Sequence, residues 1–464
     1  MANPKNIFIK AAKNIGWSVV RRIAESGIVW PFAFVYRMVI KEVKRTDGKV
    51  NTGKPGIFAL SEYRFRKDLA ILTDSGEFRI FKISSKPVGW IVSLFLTREI
   101  QREEHFAHDR DASIVRIQDK LIWFLEKFLS RLYKKLEIDC VISASAYYTN
   151  DFYWGVASEN IGIPYIVLHR ENLVASPKTY STHFDIAKIL GCFRGSQIIV
   201  HNSAMKDIFV NAGYARPDTI SVSGCLRMDN FINMIRDRKS AGCARRKRVT
   251  LFSFQHGVGI SDRMSAWSKD GKTGFVRLFE DVHASIARLA AEHPEIDFVI
   301  KPKWEGDWPE RIIAACEKNG VDVRGLENFK IERETADAHN LILESDVVCG
   351  FGSTTLLEAA IALKPVVIPH FDEALKPEYT DTVLLKDYFN LFDVASSPDD
   401  MERIILKRLD SGTIDQQCIS ERYRLFEKYV SSTKGDALDK YTEVIKKVIR
   451  EKSAFSKSNI GEKR

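Results

Sequence analysis

Short apolar runs alternating with longer amphipathic stretches set the pattern of this 464-residue chain. Candidate strands run from Gly56 to Ser61, Phe78 to Ile83, Cys140 to Ser143, Tyr165 to His169, Gln197 to Val200 and Ile220 to Ser223. Among them a helix is predicted from Asp111 to Glu137. Its Ile114, Ile117, Leu121, Leu125, Phe128, Leu132 and Leu136 recur at helical spacing and form one apolar stripe. A polar, basic stretch from Met234 to Arg248 interrupts the pattern, which then restarts. Strands are predicted at Val249–Phe254, Phe298–Lys301, Lys330–Glu332, Val347–Gly350 and Val366–Pro369. Helices are predicted at Phe275–His293, Pro309–Asn319, Ala336–Glu344 and Thr354–Leu363. A last helix, Asp436 to Arg450, precedes a Lys/Ser-rich tail expected to be disordered. Short apolar strands separated by helices are the pattern of parallel sheets covered on both faces. The expected fold class is therefore α/β, two tandem doubly wound, Rossmann-like domains facing a cleft.

The boundaries follow from the same pattern. Residues 1–50 form amphipathic N-terminal helices, 51–235 a first Rossmann-like domain, 236–248 a basic linker, 249–432 a second Rossmann-like domain, and 433–464 a C-terminal helix and tail. In the first forty residues Phe8, Ala12, Ile15, Val19 and Ile23 keep helical spacing, with Lys10, Lys13 and Arg21 around them. Trp30, Pro31, Phe32, Phe34 and Tyr36 follow, and then Lys41, Lys44 and Arg45. Two readings fit: an anchor lying in an anionic membrane surface, or helices packed on the domain behind them. The longest apolar runs, Gly27–Tyr36 and Val88–Leu96, are about half of the roughly 20 residues a spanning helix needs. Arg21, Arg22 and Glu25 interrupt what would be the core of a signal peptide. The expected location is the cytoplasm, peripheral on the inner face of the cell membrane.

Charge changes this picture by its distribution. Residues 1–250 carry 40 Lys and Arg against 24 Asp and Glu, or +16, which leaves 30 against 37, or −7, for the remainder. A basic half suits an anionic partner such as phospholipid or a phosphate-bearing acceptor. Nucleic acid is not expected, because no zinc-finger spacing, basic zipper or RNP-like motif is present. The seven cysteines are scattered and contain no CxxC, which argues against a disulfide framework or structural zinc.

The candidate chemistry lies at strand ends. In Glu344-Ser-Asp-Val-Val-Cys-Gly-Phe-Gly-Ser-Thr-Thr-Leu-Leu-Glu358 a strand runs into Gly350 and Gly352, and Ser353, Thr354 and Thr355 open a helix. Backbone N–H groups at such a turn suit a diphosphate, and Glu358 can accept hydrogen bonds from ribose hydroxyls. The plainer alternative makes Ser353 an N-cap and Glu358 a solvated helix residue. Gln255-His256-Gly257-Val258-Gly259 is a second glycine-rich turn, where His256 would bind phosphate or protonate a leaving group. Lys301 and Lys303 in Val-Ile-Lys-Pro-Lys would supply positive charge to the donor phosphates. In the first domain His169-Arg170-Glu171-Asn172 ends a strand, and His169 beside Glu171 would act as general base toward an acceptor hydroxyl. The alternative is an ordinary polar loop with an Arg170–Glu171 ion pair. Tyr147, Tyr148, Asp151, Tyr153 and Trp154 form an aromatic loop nearby, with Asp151 a reserve base.

Three segments carry a resemblance to a family. "SDVVCGFGSTTLLEAAIALKPVVIP" resembles the donor-nucleotide region of GT-B glycosyltransferases, especially the surface-polysaccharide and CDP-glycerol glycerophosphotransferase-like branch. "ISVSGCLRMDNF" (Ile220 to Phe231) resembles the end of their acceptor domain, and "KGDALDKYTEVI" (Lys434 to Ile445) the turn that opens their C-terminal helix. The likeness spans roughly residues 135 to 450. It implies GT-B architecture and transfer of a sugar from a nucleotide-activated donor to a surface-polysaccharide or lipid-linked glycan acceptor. The donor is a substrate, so no cofactor is expected, and no metal, since no DxD follows an apolar strand. Where the family commonly has Lys-Pro-His-Pro, this chain has Lys301-Pro302-Lys303. Transfer of an alditol phosphate from a CDP-alditol, a UDP-sugar 2-epimerase-like reaction and a non-catalytic sugar-nucleotide-binding protein are the alternatives.

Overall fold

The computed structural model describes residues 17–96, 112–237, 245–259, 274–303, 306–333 and 335–461, with side chains as far as residue 454. Phe8, Ala12, Ile15, Lys10, Lys13 and Cys243 lie outside the described residues. The chain divides into two compact units. The first comprises residues 1–172, 184–230 and 434–464, and the second residues 173–183 and 231–433.

The first unit is built on a seven-stranded sheet in the order β1-β3-β2-β4-β5-β6-β7. Its strands are β1 (Lys41–Glu42), β2 (Gly56–Ala59), β3 (Arg79–Lys82), β4 (Cys140–Ser143), β5 (Tyr165–Leu168), β6 (Gln197–Val200) and β7 (Ile220–Val222). All neighbours are parallel except β1, which pairs antiparallel with β3. Every residue of β2, β4 and β5 is buried, as uniformly apolar strands covered on both faces require. The long helix Ala112–Leu136 buries Ile114, Leu121, Leu125, Phe128 and Leu132 of the expected stripe, while Ile117 and Leu136 stay partly exposed.

The C-terminal helix is Ala437–Gly461. It belongs to the first unit, because Tyr441, Ile445 and Val448, spaced on one helical face, join the core cluster of Ile57, Ile80, Ile142, Ile166 and Ile199. It also continues to Gly461 through much of the segment expected to be a disordered tail. The Asp229 carboxylate accepts the N–H groups of Ala437 (3.1 Å) and Leu438 (2.8 Å), and the Tyr441 hydroxyl donates to the Gly224 carbonyl (3.3 Å). Two of the three family-like segments thus meet here, and the Asp of the first caps the helix of the second.

The second unit holds a six-stranded, wholly parallel sheet in the order β10-β9-β8-β11-β12-β13. The strands are β8 (Arg248–Phe252), β9 (Asp297–Lys301), β10 (Phe329–Ile331), β11 (Val347–Gly350), β12 (Val366–Pro369) and β13 (Asp393–Ala395). Counted within the unit this is 3-2-1-4-5-6, the doubly wound order whose direction reverses between β8 and β11. Both sheets bear out the doubly wound expectation. Among the elements that the sequence pattern left unnamed are β1, β13 and the helices Pro398–Asp410 and Gln416–Tyr429. The two strands are too short to show an apolar run. The first helix did carry a readable start, since Ser397 accepts the Asp400 N–H ahead of Pro398.

The segment expected as a basic linker is in part structured. The Leu226–Asp237 helix enters it, and residues 238–244 lie outside the described residues. Its end pairs with carboxylates of the second unit: Arg245 with Asp346 (2.8 Å), Arg246 with Asp297 (3.4 Å), Lys247 with Asp410 (3.3 Å), and Arg248 with Glu344. Exposed pairs of this kind contribute little stability each. Their effect is to neutralise charge that looked available for an outside partner.

The N-terminal helices Trp17–Glu25 and Trp30–Val39 each turn one face to the domain behind them. Phe32 meets Phe124 edge-on (5.1 Å), Tyr36 meets Phe128 (5.1 Å), and the Tyr36 hydroxyl donates to the Pro87 carbonyl (2.6 Å). No helix among the described residues is long and apolar enough to cross a membrane.

Removing the Asp229 cap tests how firmly the C-terminal helix is tied down. Asp229→Ala is expected to cost about 2 kcal/mol, the usual value of charge-assisted hydrogen bonds, and to lower the melting temperature by several degrees. Asp229→Asn, which keeps an acceptor oxygen, should recover part of that loss in the same calorimetric scan.

Candidate functional site

Parallel strands deliver all their C-terminal ends to one edge of a sheet, so each unit presents one loop cluster there. In the second unit the edge gathers Ser253–Gly259 after β8, Lys301–Lys303 after β9, Phe351–Thr355 after β11 and His370–Glu373 after β12. The β8 and β11 loops touch at the point where strand order reverses. Gly352 adopts φ +63°, and a Cβ placed there would stand 2.6 Å from Val258 Cγ2. Glycine is required here both by backbone handedness and by the close approach. Phe351 packs between Phe254 (5.3 Å) and Phe275 (4.9 Å), which holds the turn from below.

Within that turn the Ser353 hydroxyl accepts from the Thr355 N–H (3.3 Å) and the Thr355 hydroxyl (2.8 Å), while the N-cap of the helix is Thr354, whose side chain makes no capping bond. The N–H groups of Gly352, Ser353 and Thr354 donate to no protein acceptor among the described residues. The helix they lead into, Thr355–Ile361, buries Glu358, which is 6% exposed. The solvated-helix alternative for Glu358 is thereby corrected: its Oε2 lies 3.5 Å from His339 Nε2, and the His339 ring stacks on Phe231 at 4.2 Å. Lys301 ends β9 directly beside Phe252 of β8, and Lys303 is exposed two residues further on.

His256 sits half-buried in the β8 turn, its ring edge-on to Phe279 (5.0 Å) and Trp308 (5.3 Å). Burial first, and then the Arg311 guanidinium, push its pKa below the ordinary imidazole value. That shift favours the neutral imidazole, which accepts at one ring nitrogen and donates at the other. Nearby, sequence reasoning missed a carboxyl pair. Asp372, pushed up to about 6 by burial and by the Asp281 carboxyl, faces Arg277 at 3.4 Å. Glu373 next to it accepts the N–H groups of Arg277 (3.0 Å) and Leu278 (2.8 Å) and caps the Val276–Glu292 helix.

In the first unit the corresponding edge carries Ser61, Tyr147, Tyr148, His169–Asn172, His201 and Arg227. Here the expected role of His169 is corrected. The ring is fully buried; Nδ1 lies 3.3 Å from the Ala146 N–H, which can only donate, and Nε2 lies 3.0 Å from the Glu171 carbonyl oxygen. Nδ1 therefore accepts, Nε2 carries the proton, and both nitrogens are spent on backbone groups. Tyr147 (4.8 Å) and Phe209 (5.0 Å) close over the ring edge-on. Nor does the Glu171 carboxylate hold the imidazole. It accepts the Tyr148 hydroxyl (2.9 Å), and the Arg64 guanidinium stands 4.1 Å over the Tyr148 ring. Arg170 turns from Glu171 to Asp68 (3.3 Å), which Arg227 approaches from the first turn of the Leu226–Asp237 helix (3.6 Å). Buried among these charges, His201 has its pKa pushed down to about 3, by burial first and then by Arg227.

Asp151, the reserve candidate, is buried with its Oδ1 accepting from the Ser61 hydroxyl (2.6 Å). Burial pushes its pKa up to about 7 against the pull of Ser61 and Arg64. Arg64, Asp68 and Arg227 were not singled out from the sequence. Arg227 at least lies in a quoted segment, whereas Asp68 sits inside a helix and only tertiary folding brings it to the edge.

No protein-family model matches the sequence, and no curated protein matches it. Among solved structures, similarity is found to a protein from Listeria monocytogenes described as a UDP-N-acetylglucosamine 2-epimerase (12% identity, TM-score 0.49, 86% of this chain and 98% of that one). A glycosyltransferase from Rickettsia africae is also similar (10%, 0.47, 86% and 99%). So is a UDP-GlcNAc 2-epimerase from Neisseria meningitidis bound to UDP-GlcNAc (12%, 0.43, 85% and 99%). At these scores the likeness decides nothing about activity, and the doubly wound fold rests on the strand order of the chain itself.

Two substitutions probe these loops. Gly352→Ala should cost at least about 1–2 kcal/mol from the left-handed backbone alone, read as a lowered melting temperature. Asp151 binds its proton more tightly folded than unfolded, so it adds stability at acid pH that is lost as pH rises from about 4 through about 7. Asp151→Asn is expected to remove that decline, and urea titrations across the interval would show a flatter profile than the parent.

Proposed function

We propose that the chain is a GT-B glycosyltransferase that takes a sugar from a nucleotide-activated donor and passes it to a glycan or lipid-linked acceptor. The observation that carries this reading is the β8–β11 switch point. Two glycine-rich loops meet there, backbone N–H groups of Gly352–Thr354 have no protein acceptor among the described residues, and Lys301 and Lys303 flank the same edge. Such a turn is chemically suited to a diphosphate, with the lysines as point charges for it. Glu358, oriented by His339, is suited to ribose hydroxyls from its remaining acceptor positions. His256 can donate its N–H to a phosphate oxygen or accept from a sugar hydroxyl through the other ring nitrogen.

The first unit would hold the acceptor. With His169 spent on structure, Glu171 is the open carboxylate on that edge, and Tyr148 orients it. A carboxylate of this kind can accept the proton of an acceptor hydroxyl, whose oxygen bonds to the anomeric carbon as the nucleoside diphosphate departs. The family-like segments favour the surface-polysaccharide branch. Arg170 and Arg227, gathered on one carboxylate, suit an acceptor that carries negative charge.

A thermal-shift screen with UDP, GDP, CDP, CMP and ADP tests the donor half. A nucleotide at about 100 times its Kd should add roughly 2.7 kcal/mol of apparent stability, and Glu358→Ala should shrink that gain while leaving the unliganded protein folded. No stabilisation by any nucleotide, or an unchanged response in the variant, would remove the donor site as drawn. Product analysis then separates the reactions. Phosphorus retained in the product marks alditol-phosphate transfer, conversion of the nucleotide sugar without acceptor marks epimerisation, and binding without turnover across an acceptor panel marks a non-catalytic protein.

A further inference from the structure

One helix of the first unit is fastened by one face and, among the described residues, unpartnered on the other. In Trp30–Val39, Phe32, Ala33 and Tyr36 are buried, while Trp30 is 62% exposed, Phe34 65% and Met38 49%. Trp30, Phe34 and Met38 follow at four-residue steps, so they stand one above the other on the solvent side. Single exposed apolar residues need no explanation, but a row of two aromatics and a methionine on one rigid helix does. The row has neighbours. The turn before the helix leans on Trp123, because a Cβ at Gly27 would meet that indole at 2.5 Å; Ile28 in the turn and Trp123 itself are exposed.

Charge identifies the occupant. Arg37 is exposed on the same helix, Lys41 and Lys44 follow it, and Lys127 stands 3.9 Å over the Trp123 ring. Among the described residues no carboxylate pairs with Arg37, Lys41 or Lys44. Two copies meeting through this face would press these cations together. We propose that the outer face of the Trp30–Val39 helix is a docking surface for an anionic lipid bilayer. Trp30 and Phe34 enter at the headgroup level, and Arg37, Lys41 and Lys44 reach the lipid phosphates. The helix needs no folding on contact, because Phe124, Phe128 and Pro87 already hold its inner face.

The test uses the full chain in co-sedimentation with vesicles of phosphatidylcholine alone or mixed with phosphatidylglycerol. Binding is expected to the mixed vesicles and to weaken as salt is raised. Trp30→Ser with Phe34→Ser should weaken it about tenfold or more at an unchanged melting temperature. Arg37→Glu with Lys41→Glu should lose about fivefold per charge removed and most of the salt dependence. Absence of binding to the anionic vesicles, or equal binding by the serine variant, overturns the proposal. A concentration-dependent dimer that the serine variant abolishes overturns it too, by assigning the face to a second copy. Nucleotide-induced stabilisation measured on the same variants should be unchanged, which keeps this surface separable from the donor site.

Discussion

A parallel strand cannot be joined to its neighbour by a tight turn; the chain must cross back over a face of the sheet before it re-enters. That constraint organises both units. Each crossover brings the next strand in at the same end, so loops distant in sequence arrive together at one edge. Ser253–Gly259 and Phe351–Thr355 are about a hundred residues apart, yet Gly352 and Val258 are in contact distance because β8 and β11 are hydrogen-bonded neighbours. The first unit repeats the arrangement with β2, β4, β5, β6 and β7, and the polar groups of Arg64, Asp68, Glu171 and Arg227 converge for the same reason.

What those convergent groups can do is then decided by burial and by hydrogen-bond supply. A polar side chain withdrawn from water must find partners in the protein, and once it has found them it is no longer free to serve a substrate. His169 illustrates the rule, with both ring nitrogens turned to backbone groups. His283 does the same in the second unit, between the Ser253 hydroxyl (2.9 Å) and the Phe279 carbonyl (2.6 Å), and burial pushes its pKa down to about 4. Glu171 and His256, only partly covered, keep the capacity that these two histidines have given up.

Charge follows a similar logic. The linker cations that helped make the first half of the chain basic find Asp346, Asp297, Asp410 and Glu344 on the second unit, so the net charge of a segment misstates what it offers to a partner. Among the described residues Arg37, Lys41 and Lys44 meet no such carboxylates, and they lie beside apolar side chains that the fold leaves outside. Positive charge next to exposed aromatics has a different meaning from positive charge already matched.

The alternation of apolar runs and amphipathic helices was sufficient to determine two doubly wound sheets, nearly all their strands and the long helix, because strand and helix periods are local properties that each short stretch carries by itself. The glycine-rich turn at Gly350–Gly352 was legible too, since a tight strand-to-helix turn demands that residue type. Tertiary structure decided the rest. Whether His169 is a base or a buried strut depends on Ala146 and on the Glu171 carbonyl, neither of which has any periodic signature. Asp68 reaches the strand edge only through folding. The C-terminal helix joins the first unit because Tyr441, Ile445 and Val448 match a surface formed by residues hundreds of positions earlier, and a pattern along the chain reveals an apolar stripe without saying which surface it will cover.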